Sequence, residues 1–197
     1  MMPFRTVVCA CAILLLCSPT MAQESVPGKA PSSVKGFRGD FLSQLDGVEK
    51  KLVDLATAEP EEKYSWRPGE GVRSVSEVYT HVAGANYFIL SMAGVKLPEG
   101  LSGDIEKTIT QKADVIEALK KSFGFVRDAV MKMKDDELEK PVKAYGQQSS
   151  VRGVLFSLAL HMHEHLGQSI AYARMNGVVP PWTAAQTKRQ QAGGGGG

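Results

Sequence analysis

Beyond residue 17 the chain contains no cysteine; Cys9, Cys11 and Cys17 are the only three in its 197 residues. All three fall in the apolar run Thr6 to Cys17, which follows a short basic start at Met1 to Arg5 and is broken by Ser18-Pro19-Thr20-Met21-Ala22. Basic start, apolar run and small residues Thr20 and Ala22 make the three-part pattern of a secretory leader, and the run is too short for a permanent membrane span. Cleavage is expected after Ala22, because a lipoprotein leader would carry a small residue where Leu16 stands before Cys17. The expected mature protein of 175 residues is periplasmic or secreted, with no membrane span left after leader removal. It has no disulfide to form and no thiolate to act as nucleophile or soft ligand. Its chemistry rests on oxygen and nitrogen groups.

Charge of one sign is also lacking. Without residues 1–22, which carry only Arg5, 22 basic side chains stand against 21 acidic ones. That balance points away from nucleic acid and from an anionic membrane surface. No Gly-rich phosphate loop is present, since the glycines closing the chain have no flanking strand, helix and lysine. No repeat of solenoid length appears.

What the chain does have is helical periodicity. Residues 23–35 read as a flexible lead-in rich in Pro, Ser, Gly and Lys. Phe37, Phe41, Leu45, Val48, Leu52 and Leu55 then recur at gaps of three and four, predicting a helix that Glu59-Pro60 ends. Ser74-Val75-Ser76-Glu77 has capping-box form and opens a second helix with Val75, Val78, Val82, Ala85, Phe88 and Ile89 towards the core, closed near Ala93-Gly94. A third carries Val115, Leu119, Phe123, Val126, Val130 and Met133. Residues 139–148 form a polar excursion with the makings of a short hairpin. Ser149 or Ser150 opens a fourth helix that reaches Asn176 and stops at Gly177. Residues 184–197 are expected to be disordered. One all-α domain over 36–183, a four-helix bundle, accounts for these segments.

Three of the four histidines lie in His161-Met162-His163-Glu164-His165. Residues four apart share a helix face, so His161 and His165 point together, while His163 points about 200° away. Leu158, Met162, Ser169 and Tyr172 place the His161/His165 face towards the core. His81 sits three after Val78 and four before Ala85, also on an apolar side. Each inward imidazole alone has an ordinary explanation as a buried, hydrogen-bonded residue. Three together would cost several kcal/mol in unsatisfied nitrogens unless something satisfies them. One divalent ion of zinc or nickel type would do so, leaving a position open for water or substrate. Spacing alone does not bring His81 alongside the other two. Glu164 is one residue from His165 and faces elsewhere, so the zinc-peptidase pattern is absent. Tyr64, Trp66 and Trp182 line a ligand mouth or clamp loops to the core, and Arg73 and Arg174 hold an anionic substrate or sit at the surface.

At these residues the chain resembles the DinB-like family of helical-bundle metalloproteins, which includes bacterial thiol-dependent transferases. Ser65-Trp66-Arg67-Pro68, Gly71 to Val78 and His81-Val82 are similar to the family's loop into helix two. His161, His165 and Leu166-Gly167-Gln168 are similar to its HxxxHxGQ element on the last helix, and Ala171 to Arg174, Asn176-Gly177 and Pro180-Pro181-Trp182 to one branch of it. The resemblance covers about 37–182. It implies a four-helix bundle with longer crossover connections and a metal on His81, His161 and His165, with Gln168 in support and Arg73 and Trp66 near the substrate. The alternative is that Gly167 permits close helix packing and Gln168 is a buried hydrogen-bonding residue. It further implies a small-molecule substrate, with a thiol among the candidates, and it allows a homodimer. Thiol-dependent members work in the cytosol, and an export leader departs from that setting. The expected activity is therefore transfer or hydrolysis by a metal-activated water or thiol; the alternative is a non-catalytic envelope module that binds metal or a small ligand.

Overall fold

A computed structural model describes residues 34–101 and 104–193. The expected leader and most of the expected lead-in lie outside the described residues. The described chain runs α1 (Gly36–Ala58), α2 (Val75–Ser91), a one-turn α3 (Ile105–Thr108), α4 (Lys112–Lys132), the hairpin β1 (Pro141–Ala144) and β2 (Gln147–Ser150), α5 (Val151–Met175) and α6 (Pro181–Gly193).

Four long helices enclose one core. α4 and α5 each pack against both α1 and α2, so α1 faces α2 across the bundle diagonal and α4 faces α5 across the other. The connections 59–74 and 133–150 therefore cross the bundle, which accounts for their length. Apolar stripes at helical spacing drive this arrangement: Leu45, Leu52 and Leu55 of α1, Leu119, Phe123 and Val126 of α4, and Leu155 and Leu158 of α5 are all essentially inaccessible to water. Across the α1/α4 seam, Arg127 ties to Asp46 at 2.7 Å and also to the buried Glu49.

The ends of the site-bearing helices are fixed by their sequence. Ser74 accepts from the Glu77 amide while the Glu77 carboxylate accepts from the Ser74 amide at 2.6 Å, completing the capping box of α2. Ser150 caps α5 by accepting from the Gly153 amide at 3.1 Å. Gly177, with φ +78°, takes the left-handed position that follows α5.

Three expectations are corrected. Phe88 is 59% exposed rather than core-facing, because it falls about 120° around α2 from the fully buried Val82. The region from Ala184 is helical as far as Gly193: Pro181 starts α6 at a position where proline is favoured, and Ala, Gln, Lys and Arg sustain it. Gly167 is exposed, and a methyl group built on it would meet nothing within 4 Å, so it mediates no close packing. Among the described residues no helix is long and apolar enough to cross a membrane.

Candidate metal centre

The seam between α2 and α5 carries the histidines. His81 comes from α2 and His161 and His165 from successive turns of α5; one nitrogen from each lies within 4.8 Å of the other two. Their rings approach edge-on or tilted, with centroids 4.5 to 5.1 Å apart. His81 Nε2 and His161 Nε2 are 3.2 Å apart. His163 and Glu164 are exposed and point away, as the helical spacing predicts.

The outward-facing nitrogens show how the rings are held. His81 Nδ1 donates to Glu106 Oε1 at 2.6 Å, and Arg73 Nε donates to the other oxygen of that carboxylate at 2.8 Å. His165 Nδ1 donates to Gln168 Oε1 at 2.8 Å, and Gln168 Nε2 donates to the Tyr172 hydroxyl at 3.1 Å. Trp66 sets its ring edge-on against Tyr172, 5.5 Å between centroids. With Nδ1 engaged on His81 and His165, the Nε2 atoms of both are the ones left to face the cluster. His161 Nδ1 is buried without a hydrogen-bond partner.

Electrostatics favour the neutral form of the two α5 histidines. Burial pushes the His161 imidazole down to about 4, helped by neighbouring His165, His81 and Arg73. Burial also lowers His165, against the opposing hydrogen bond to Gln168. Partial burial works to raise Glu106, but hydrogen bonds and charge from Arg73 and His81 outweigh it and hold the carboxyl below its usual range. Histidine binds metal as the neutral imidazole, and a carboxylate or amide oxygen behind the ring is the usual support for such a ligand.

Of the residues singled out in the sequence, Gln168 touches His165, Arg73 reaches His81 through Glu106, and Trp66 reaches His165 through Tyr172 and Gln168. Arg174 is exposed. Tyr64 is a clamp: its hydroxyl donates to the Ala56 carbonyl at 2.7 Å. Trp182 packs on the core with Lys51 over its ring. Glu106 escaped sequence reasoning because a four-residue helix has too few positions to show a period.

Bundle and cluster together define a helical protein whose three histidines stand close enough to hold a metal ion. The family model for the DinB superfamily matches residues 44–169, and the chain belongs to that superfamily. Its fold resembles a DinB-like protein from Bacillus cereus at 20% identity and a TM-score of 0.66, covering 72% of this chain and 93% of that one. It also resembles a DinB-like protein from Bacillus subtilis at 18% identity and a TM-score of 0.58, covering 71% and 93%. A conserved protein from Enterococcus faecalis aligns at 13% identity with a TM-score of 0.58, covering 72% and 97%. No curated protein sequence matches the chain significantly.

Proposed function

We propose that His81, His161 and His165 hold one divalent metal ion, zinc or nickel, in a protein exported to the cell envelope, and that the centre serves transfer or hydrolysis on a small-molecule substrate. The supporting observation is that two of the three inward histidines have an outward anchor, Glu106 behind His81 and Gln168 behind His165. Two tetrahedral nitrogen ligands at the usual zinc distance stand about 3.3 Å apart. The separation of 3.2 Å between His81 Nε2 and His161 Nε2 fits that value, and His165 lies within reach of a modest side-chain adjustment.

When bound, such an ion supplies Lewis acidity and lowers the pKa of a water or thiol at its free position. The chain's own residues supply the rest. Glu106 and Arg73 orient His81, while Gln168 and Tyr172 orient His165 and fix its tautomer.

Metal analysis of untagged protein tests the reading. One zinc or nickel ion per chain is expected, falling to a small fraction in His161→Ala. Metal content well below one per chain in the parent, unchanged by that substitution, would overturn it. A loaded protein that neither forms thiol adducts nor hydrolyses esters or amides, yet binds a ligand, is a binding module rather than an enzyme.

A further inference from the structure

A cavity of about 630 Å³ opens beside the histidine cluster, with His81 and His161 in its wall. Its volume falls within the range of about 300–1,000 Å³ usual for small-molecule sites. The remaining wall is largely apolar. α2 contributes Gly84, Ala85 and Phe88; the stretch between α2 and α4 contributes Leu97, Leu101 and Ile105. Among the described residues its only carboxylates are Asp104 and Glu106, and no lysine or arginine lines it. Each of the two is paired with a cation from outside the lining, Glu106 with Arg73 and Asp104 with Lys107, so the wall itself offers an anionic group no cation of its own.

Tyr145 stands on the same wall and is 60% exposed. It occupies the first position of the two-residue turn Tyr145-Gly146, with φ +52° followed by +79°. That mirror-image turn matches the twist of a hairpin, but its first position suits Asn, Asp or Gly. Left-handed backbone is disfavoured for a bulky side chain, and such outliers gather at ligand sites. Tyr145 is the only non-glycine residue with positive φ among the described residues. Phe88, also exposed, lines the cavity as a second aromatic. Two large exposed rings and one unfavourable backbone thus converge on one apolar hollow.

We infer that this cavity seats an uncharged, mainly apolar organic group, covered by Tyr145, with one polar end directed to His81 and His161. The apolar seat stands independently of the metal; only the polar end rests on the metal reading of "Proposed function".

Fluorescence titration of the full chain with N-phenyl-1-naphthylamine, a neutral apolar probe, tests the seat with and without added zinc. Saturable binding of one probe per chain is expected. Leu101→Glu should weaken it at least tenfold. Tyr145→Asn should weaken it threefold or more while raising the thermal midpoint. Met175→Glu, which changes an exposed apolar residue outside the cavity, should leave it unchanged. Absence of saturable binding, or Leu101→Glu and Tyr145→Asn chains that bind like the parent, would overturn the inference. A chain that takes up the probe but no zinc keeps the seat and loses the metal reading, and the reverse outcome does the opposite. In zinc-loaded protein, benzohydroxamate should displace the probe at a concentration at least tenfold below that needed with acetohydroxamate. Equal potency would break the link between cavity and histidines.

Discussion

Nε2 of His81 and Nε2 of His161 meet 3.2 Å apart across the α2/α5 seam, 80 residues distant in the chain. Because the Glu106 carboxylate can only accept, His81 carries a proton on Nδ1, and as the neutral imidazole it offers a lone pair at Nε2. His161 therefore donates from Nε2, which leaves its buried Nδ1 bare. Ligation would reverse this, since His161 would give its Nε2 lone pair to the ion and carry its proton on Nδ1. Nitrogen-15 spectra should place the His161 proton on Nε2 in metal-free protein and on Nδ1 after zinc addition. A proton on Nδ1 in both states would contradict this account.

Two buried groups should tilt the pH dependence of stability in opposite directions. His161 falls from 6.5 to about 4 on folding, so its contribution is complete above pH 6.5 and is lost as pH falls through 4. Glu59, fully buried with neither carboxyl oxygen hydrogen-bonded, is raised by burial from 4.5 to about 7 against the opposing charge of Lys112. Its contribution is complete below pH 4.5 and is lost as pH rises through 7. Each amounts to at most about 3 kcal/mol. Denaturant unfolding of metal-free protein from pH 4 to 9 should show Glu59→Gln flattening the alkaline limb and His161→Gln flattening the acid limb. Parallel curves for parent and variants would refute both assignments.

The outward anchors should govern metal affinity. Glu106→Ala and Gln168→Ala are each expected to weaken zinc binding by roughly 10- to 100-fold in competition with a chromophoric chelator. Glu106→Gln, which retains an acceptor for His81, should recover part of the loss. Affinities equal to the parent would mean that the imidazoles are held by packing alone.

The α1/α4 seam depends on Arg127. Removing its guanidinium in Arg127→Ala strands the nearly inaccessible Glu49 carboxylate and should cost about 3 kcal/mol. Arg127→Met with Glu49→Leu should restore most of it. A loss below about 1 kcal/mol in the single variant would mark the pair as dispensable.

Gly167 interrupts the middle of α5 while touching nothing. Gly167→Ala should stabilise the chain by about 0.5–1 kcal/mol through helix propensity alone, with zinc affinity unchanged. Destabilisation would reveal a constraint on the backbone between His165 and Gln168.

The architecture was largely legible because apolar stripes at gaps of three and four, the Ser74/Glu77 capping box and Gly177 are local signals with local causes. Spacing also sufficed to pair His161 with His165 and turn His163 outward. Bringing His81 to them depends on which helices become neighbours, a property of packing that no single helix records; the family resemblance supplied it. Glu106 was invisible for a related reason, since its partners Arg73 and His81 lie 33 and 25 residues away. Phe88 was misplaced because an apolar residue lining a cavity looks, in sequence, like one facing a core. Helix α6 was misread because Ala, Gln and Lys serve tails and exposed helices alike.

The histidine cluster has a mechanical side as well. From residue 18 onward the chain has no thiol with which to brace itself. In the proposed loaded form, one ion would tie α2 to α5 and close an 80-residue loop in the unfolded chain. By the chain-entropy rule for covalent links, closure on that scale is worth about 4 kcal/mol. The centre would then act as a removable staple: a chelator in the surrounding fluid would loosen the whole bundle, and the supply of metal would set how long the protein survives there.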